Sequence, residues 1–140
     1  MLPTTMDSYA ARALMLAIGQ QESRFLYRRQ INGPARGFWQ FEVNGVRGVL
    51  NHQSTKRYAA AVLTEMRIQA EPEPVHAALE YSDILAAVMA RLLLWTYPRG
   101  LPNSNDALGG WEYYIACWRP GKPHRATWDA FYEAAWGSVG

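Results

Sequence analysis

A mostly α-helical single domain, residues 1–140, is what this sequence predicts, on three observations. Apolar residues recur every three or four positions through most of the chain, the spacing of one helix face. Only residues 36–45 read as extended, at most one small hairpin or extended wall. A length of 140 residues with 49% hydrophobic content suits one core of good size. There are no repeats and no low-complexity segments.

From the amino terminus onward, Thr4, Thr5, Asp7 and Ser8 are N-cap candidates for a first helix over about residues 7–25. Along it Leu14, Ile18 and Glu22 step by four, which puts Glu22 on the inward stripe or its border. Residues 26–36 have no period and contain Asn-Gly-Pro, a turn signal. Gly37–Val43 reads as a short strand or extended wall, and Gly45 and Gly48 as breakers. Ser54 or Thr55 caps a second helix to about Gln69, with Tyr58, Ala61, Val62, Glu65 and Ile68 in register. The run Glu71-Pro72-Glu73-Pro74 ends it, and a short helix from Val75 to Glu80 comes next. Ser82 and Asp83 start ILAAVMARLLLW, apolar nearly all round, the signature of a buried central helix. Residues 97–105 form a loop by every local signal, and Asp106 caps a helix to about Trp118. Arg119–Pro123 is a rigid turn, and the last helix runs from about Ala126 to Trp136.

Composition excludes several functions. The net charge of +2 is too small to argue for nucleic acid. Its distribution is uneven: between Ser23 and Thr64 stand seven basic residues, including Arg24, Arg28, Arg29 and Arg36, against one acid, Glu42. That stretch reads either as a surface for an anionic polymer or as a solvated face. One cysteine, Cys117, forbids an internal disulfide and reads as a small core residue. His52, His76 and His124 lack metal-ligand spacing with one another or with Cys117. There is no Gly-x-Ser-x-Gly elbow and no phosphate loop, so no cofactor is expected. The longest apolar run, Ile84 to Trp95, is interrupted by Arg91 and too short to span a bilayer. The amino terminus lacks a basic leader, so synthesis in the cytoplasm without a signal peptide is expected.

The stretch with most chemistry is GQQESRFLYRRQINGPARGFWQFE, residues 19–42. Glu22 sits at a helix end, facing a Gly-rich turn with aromatic walls. Cleaving a glycosidic bond needs a carboxyl still protonated near neutral pH, and burial against aromatics supplies one. The alternative is a helix-end Glu paired on the surface with Arg28 or Arg29. Glu42, twenty positions on, is either a second carboxylate across a cleft or the partner of Arg36 or Arg47.

Glu22-Ser23, Phe25, Gly33, Gly37 and Gln40 resemble the first two motifs of soluble lytic transglycosylases and goose-type lysozymes, a Glu-Ser-aromatic followed by a Gly-x-x-x-Gly-Leu-Met-Gln-like run. Phe38 and Trp39 stand where those families carry Leu and Met. The resemblance implies a lysozyme-like fold whose groove is roofed by residues 31–45. It implies that Glu22 acts alone as acid and then base on peptidoglycan, between N-acetylmuramic acid and N-acetylglucosamine, leaving an anhydro end. Ser23 would orient Glu22 or touch an acetamido group, or else bond its own backbone. Gln40 would contact substrate, or else fix the turn. Phe38 and Trp39 would narrow the cleft or stack a sugar, and Glu42 would be a groove residue. A third family motif, Ala-Tyr-Asn-x-Gly, has its nearest counterpart in residues 111–121, where the Tyr and the later Gly are present and the Asn is not. Tyr114 is the choice for the contact with Glu22, Tyr113 the alternative about 100° round the helix, and packing of Tyr114 on Trp118 the competing role. Arg119 and Lys122 can meet an anionic strand or stay solvated.

The resemblance further implies that the partners are peptidoglycan glycan strands and, as in bacteriophage lysis or wall-penetration enzymes, virion proteins. The site of action would be the bacterial wall. Two other readings compete: a lysozyme-type hydrolase, and a non-catalytic wall-binding or virion module. A nucleic-acid binder using residues 24–57 is disfavoured, because Gly33–Gly37 is too wide for a tight helix-turn-helix connection.

Overall fold

The computed structural model describes all 140 residues. The protein is mostly helical: seven α-helices, no sheet and one short 3-10 turn over Thr4–Met6. The helices are α1 (Tyr9–Ser23), α2 (Val43–Asn51), α3 (Lys56–Met66), α4 (Pro72–Ala78), α5 (Asp83–Trp95), α6 (Ala107–Trp118) and α7 (Arg125–Val139). Their buried apolar faces form one continuous core cluster to which every helix contributes.

Local chemistry explains most boundaries. Ser8 caps α1 by accepting from the Ala11 N–H at 3.0 Å, Ser82 caps α5 from Leu85 at 3.1 Å, and Asp106 caps α6 from Gly109 at 2.8 Å. Helix α1 stops two residues short of the expectation because Arg24 and Phe25 both turn left-handed, at φ 58° and 54°. That reversal folds the Phe25 ring back onto Gly19. A Cβ there would stand 2.1 Å from the ring, so the glycine makes the fold-back feasible.

Helix α5 is the buried central helix. Leu85, Ala86, Met89, Ala90, Leu92 and Leu94 are almost wholly excluded from solvent. Arg91 is buried among them, donating its Nε–H to the Met6 carbonyl at 2.7 Å with its guanidinium over Trp95. The amino-terminal turn is thereby tied to the centre of the molecule.

The structure corrects four local expectations. Gly45 and Gly48 do not break the chain. They lie inside α2, which is held by the fully buried Val46 and Val49, and that anchoring outweighs a glycine penalty of about 1 kcal/mol each. Gly37–Val43 is not a strand: residues 28–41 make only two isolated antiparallel bridges, Arg29 with Arg36 and Arg36 with Phe41. The inward stripe of α3 is Ala59, Val62 and Leu63, so Ala61 and Glu65 face solvent. Pro72 begins α4 rather than ending α3, since a first-turn proline loses no helical hydrogen bond.

The turn at 37–40 is closed by reciprocal Arg36–Phe41 backbone bonds, 2.9 and 3.0 Å, and by Gln40 N–H to the Gly37 carbonyl, 3.0 Å. Gly37 has φ 76°, and a Cβ there would sit 3.2 Å from the Leu79 carbonyl. Gly37→Ala is therefore expected to destabilise the protein by about 1–2 kcal/mol, the price of a left-handed Cβ. Urea unfolding checks this; an unchanged midpoint would show that the turn relaxes freely.

Candidate active site

A groove of about 800 Å³ runs along one face of the protein. Its walls come from the end of α1, the 27–42 segment, α2, the end of α5, α6 and the 119–124 turn. Glu22 lines it, as do Gln40, Glu42 and Tyr114.

Glu22 is the penultimate residue of α1, four positions after the fully buried Ile18. It is half-buried, and desolvation raises its carboxyl from an ordinary value of 4.5 to about 7 against the opposing hydrogen bond from Tyr114. The Tyr114 hydroxyl donates to Glu22 Oε2. Burial first, and then the neighbouring Glu22 charge, push the phenol's own pKa up, so it stays a proton donor. Glu22 is thus a carboxyl that holds a proton near neutrality while facing a groove open to a ligand.

Packing fixes the phenol. The Tyr114 ring stacks on Trp128 at 5.4 Å with planes 7° apart, and Trp128 is itself locked by an Nε1–H bond to the Ala107 carbonyl at 2.8 Å. Such a pair adds about 0.5–1.5 kcal/mol beyond burial. Tyr113 points elsewhere, donating towards the carbonyls of Leu94 at 3.2 Å and Arg99 at 3.1 Å. Tyr114 also packs obliquely on Trp118, so its packing role and its contact with Glu22 coexist.

The other predicted residues divide. Gln40 lines the groove, and one of its two Nε2–H donors is engaged with the Gly37 carbonyl at 2.9 Å, so it fixes the turn while keeping its second N–H and its oxygen for other partners. Glu42 is exposed on the groove wall at the N-cap of α2 and pairs with neither Arg36 nor Arg47. Those arginines go to Glu80 at 3.7 Å and Glu73 at 3.7 Å.

Three residues leave the substrate side altogether. Ser23 is buried, donating to the Gly19 carbonyl at 3.3 Å and accepting from the Phe25 N–H at 3.1 Å, so it shapes the helix end. Trp39 is buried at 7% exposure with its Nε1–H on the Met15 carbonyl at 2.8 Å, so its ring cannot stack a sugar. Phe38 packs edge-on against Phe25 beneath the Arg28 guanidinium and is not part of the groove wall.

Residues not singled out from sequence complete the site. Tyr27 lines the groove and donates its hydroxyl to the Glu22 carbonyl at 3.2 Å. Gln21 donates Nε2–H to the His124 carbonyl at 2.7 Å and accepts from Thr127 Oγ1 at 2.9 Å, which seats the end of α1 on the start of α7. Nothing in the local pattern marks either residue, since both contacts depend on how the chain folds back. Cys117 is half-buried on the groove wall rather than in the core, and burial pushes its thiol up to about 12. No group of three His, Cys, Asp or Glu side chains converges to hold a metal.

The shift at Glu22 links stability to pH. The folded state keeps a proton that the unfolded chain loses between 4.5 and about 7, so stability falls as pH rises through that window. Glu22→Gln is expected to raise the urea midpoint above pH 7 and leave it unchanged well below 4.5; equal midpoints throughout would mean a solvated carboxyl. Tyr114→Phe removes the one influence lowering the Glu22 pKa and should move its titration above about 7 in carbon-detected NMR. A downward move would show that the phenol does not stabilise the carboxylate. Comparison with known proteins yields no matching family model, curated protein or solved structure.

Proposed function

We propose that the protein is a peptidoglycan-cleaving glycosidase of lysozyme-like type, with Glu22 as its single acid/base. The observation that carries this reading is the half-buried Glu22 carboxyl, raised to about 7, held by Tyr114 and lining an 800 Å³ groove. The groove opens to solvent, so a sugar chain can lie against Glu22 and continue beyond it.

The proton on Glu22 passes to the bridging glycosidic oxygen as the bond to the leaving sugar breaks. Positive charge develops on the retained sugar ring, and the new carboxylate stands beside it. That carboxylate then takes the proton from the sugar's own primary hydroxyl, whose oxygen closes an anhydro ring. Tyr114 keeps the carboxyl oriented through both proton transfers, and its hydrogen bond strengthens when Glu22 is charged. The resemblance of residues 19–42 to lytic transglycosylases supports the same roles, and a bacteriophage lysis or wall-penetration enzyme is the biological setting it suggests.

One observation favours a second outcome at the same site. Glu42 presents an exposed carboxylate on the groove wall with no ion pair of its own. It is free to orient water, which would make the enzyme a hydrolase of lysozyme type.

Incubation of the protein with purified sacculi, followed by mass spectrometry of the released muropeptides, decides among these. Anhydro ends are expected from the native protein and none from Glu22→Gln, whose fold should be intact. Reducing ends would instead assign hydrolysis and bring in Glu42. Cleavage retained by Glu22→Gln would sink the assignment, and sacculus binding without any product would leave a non-catalytic wall-binding module. Because the acid must be protonated, native activity is expected to fall as pH rises through about 7.

A further inference from the structure

The protein distributes its charge in a way that acid catalysis does not require. The basic stretch from Arg28 to Arg47 is answered by acids elsewhere: Arg28 meets Asp83 at 2.8 Å, Arg29 and Arg36 flank Glu80 at 3.8 and 3.7 Å, and Arg47 meets Glu73 at 3.7 Å. Arg24 and Arg57 lie over the rings of Phe131 and Tyr58. The groove is different. Arg119 and Lys122 line it and take part in none of the ion pairs or cation–ring contacts. The acids on its walls are Glu22, which holds its proton near neutrality, and Glu42.

The turn that carries these two cations is anchored at both ends. Arg119 closes α6 in the left-handed conformation, φ 48°, with its N–H on the Ile115 carbonyl at 3.0 Å. Pro120 and Pro123 restrict the backbone on the way to α7, and the His124 carbonyl is held by Gln21 at 2.7 Å, one residue from Glu22. The mount is rigid while the charged ends stay exposed to the groove. Arg119 stands five residues beyond Tyr114, roughly 7 Å along the helix axis. Glu22 and this turn thus line the same groove, so a strand bound there can meet both.

We propose that Arg119 and Lys122 form an anion-recognising wall that selects glycans bearing carboxylate substituents over neutral glycans of the same backbone. This rests on the glycan reading of the groove and adds a specificity that Glu22 and Tyr114 cannot supply, since both act on the bond rather than on its decoration. Two exposed charge contacts together change affinity by about two- to thirty-fold.

The test is co-sedimentation of the full-length chain with two insoluble polymers of N-acetylated sugars, peptidoglycan sacculi and uncharged chitin, at low and high salt. The native protein is expected to prefer sacculi, with a preference that weakens as salt rises. Arg119→Ala with Lys122→Ala should reduce that preference by about two- to thirty-fold, while Arg119→Lys with Lys122→Arg should retain it. Equal native binding to both polymers, or an undiminished preference in the double alanine variant, would overturn the proposal. Product release is measured separately in the same tubes. Absence of cleavage by the native protein would defeat the role given to Glu22 and leave the charge dependence of binding still readable, so the two ideas fail independently.

Discussion

Two indole hydrogen bonds hold the working parts of this protein together. Trp39 donates to the Met15 carbonyl in α1, and Trp118, near the end of α6, donates to the carbonyl of Trp39, each at 2.8 Å. The 37–40 turn is thereby pinned between two helices that have no direct local reason to meet. Each of these indole N–H groups takes a backbone carbonyl, which satisfies a donor that packing has taken from water. From the opposite side His76 Nε2 contacts the Phe41 carbonyl at 2.9 Å, which ties the same turn to α4. Gly37 and Gly19 are the sequence's concessions to this crowding, one to the Leu79 backbone and one to the Phe25 ring.

At the end of α1, Glu22 is largely stripped of water yet still lines the groove. Desolvation is the larger influence on that carboxyl and the Tyr114 hydrogen bond the smaller, opposing one. The balance matters chemically. Deeper burial would lock the proton in place, and full exposure would lose it at neutral pH. Tyr114 can hold this position because Trp128 stacks beneath it and is itself fully buried. The Glu22–Tyr114 pair is therefore braced by the core, which restricts its geometry.

Electrostatics obey the same constraint. The arginines at 28, 29, 36 and 47 are engaged by acids from α4, the turn after it and the start of α5, so the side that looks most basic in the sequence is largely neutralised. On the groove itself, Arg119 and Lys122 of the turn between α6 and α7 take part in no ion pair. No helix is long and apolar enough to cross a membrane.

Much of this was legible in the residues alone. The helical class, the buried helix through Leu85–Leu94, the caps at Ser82 and Asp106, and the placement of Glu22 on the inner border of α1 all come from local spacing, because a helix is written by neighbours three and four positions apart. Even α2 had its signal in Val46 and Val49, which two glycines concealed. Tertiary structure alone decided which aromatic rings line the groove and which brace it. Trp39 and Phe38 turned inward and Tyr27 turned outward; the meeting of Tyr114 with an acid 92 positions away was expected from the motif resemblance and not from any local spacing. Those outcomes depend on contacts between segments remote in the chain, where a rotation of about 100° on a helix exchanges a buried ring for an exposed one. Periodicity states which face of each element is apolar; only the packed molecule states what that face meets.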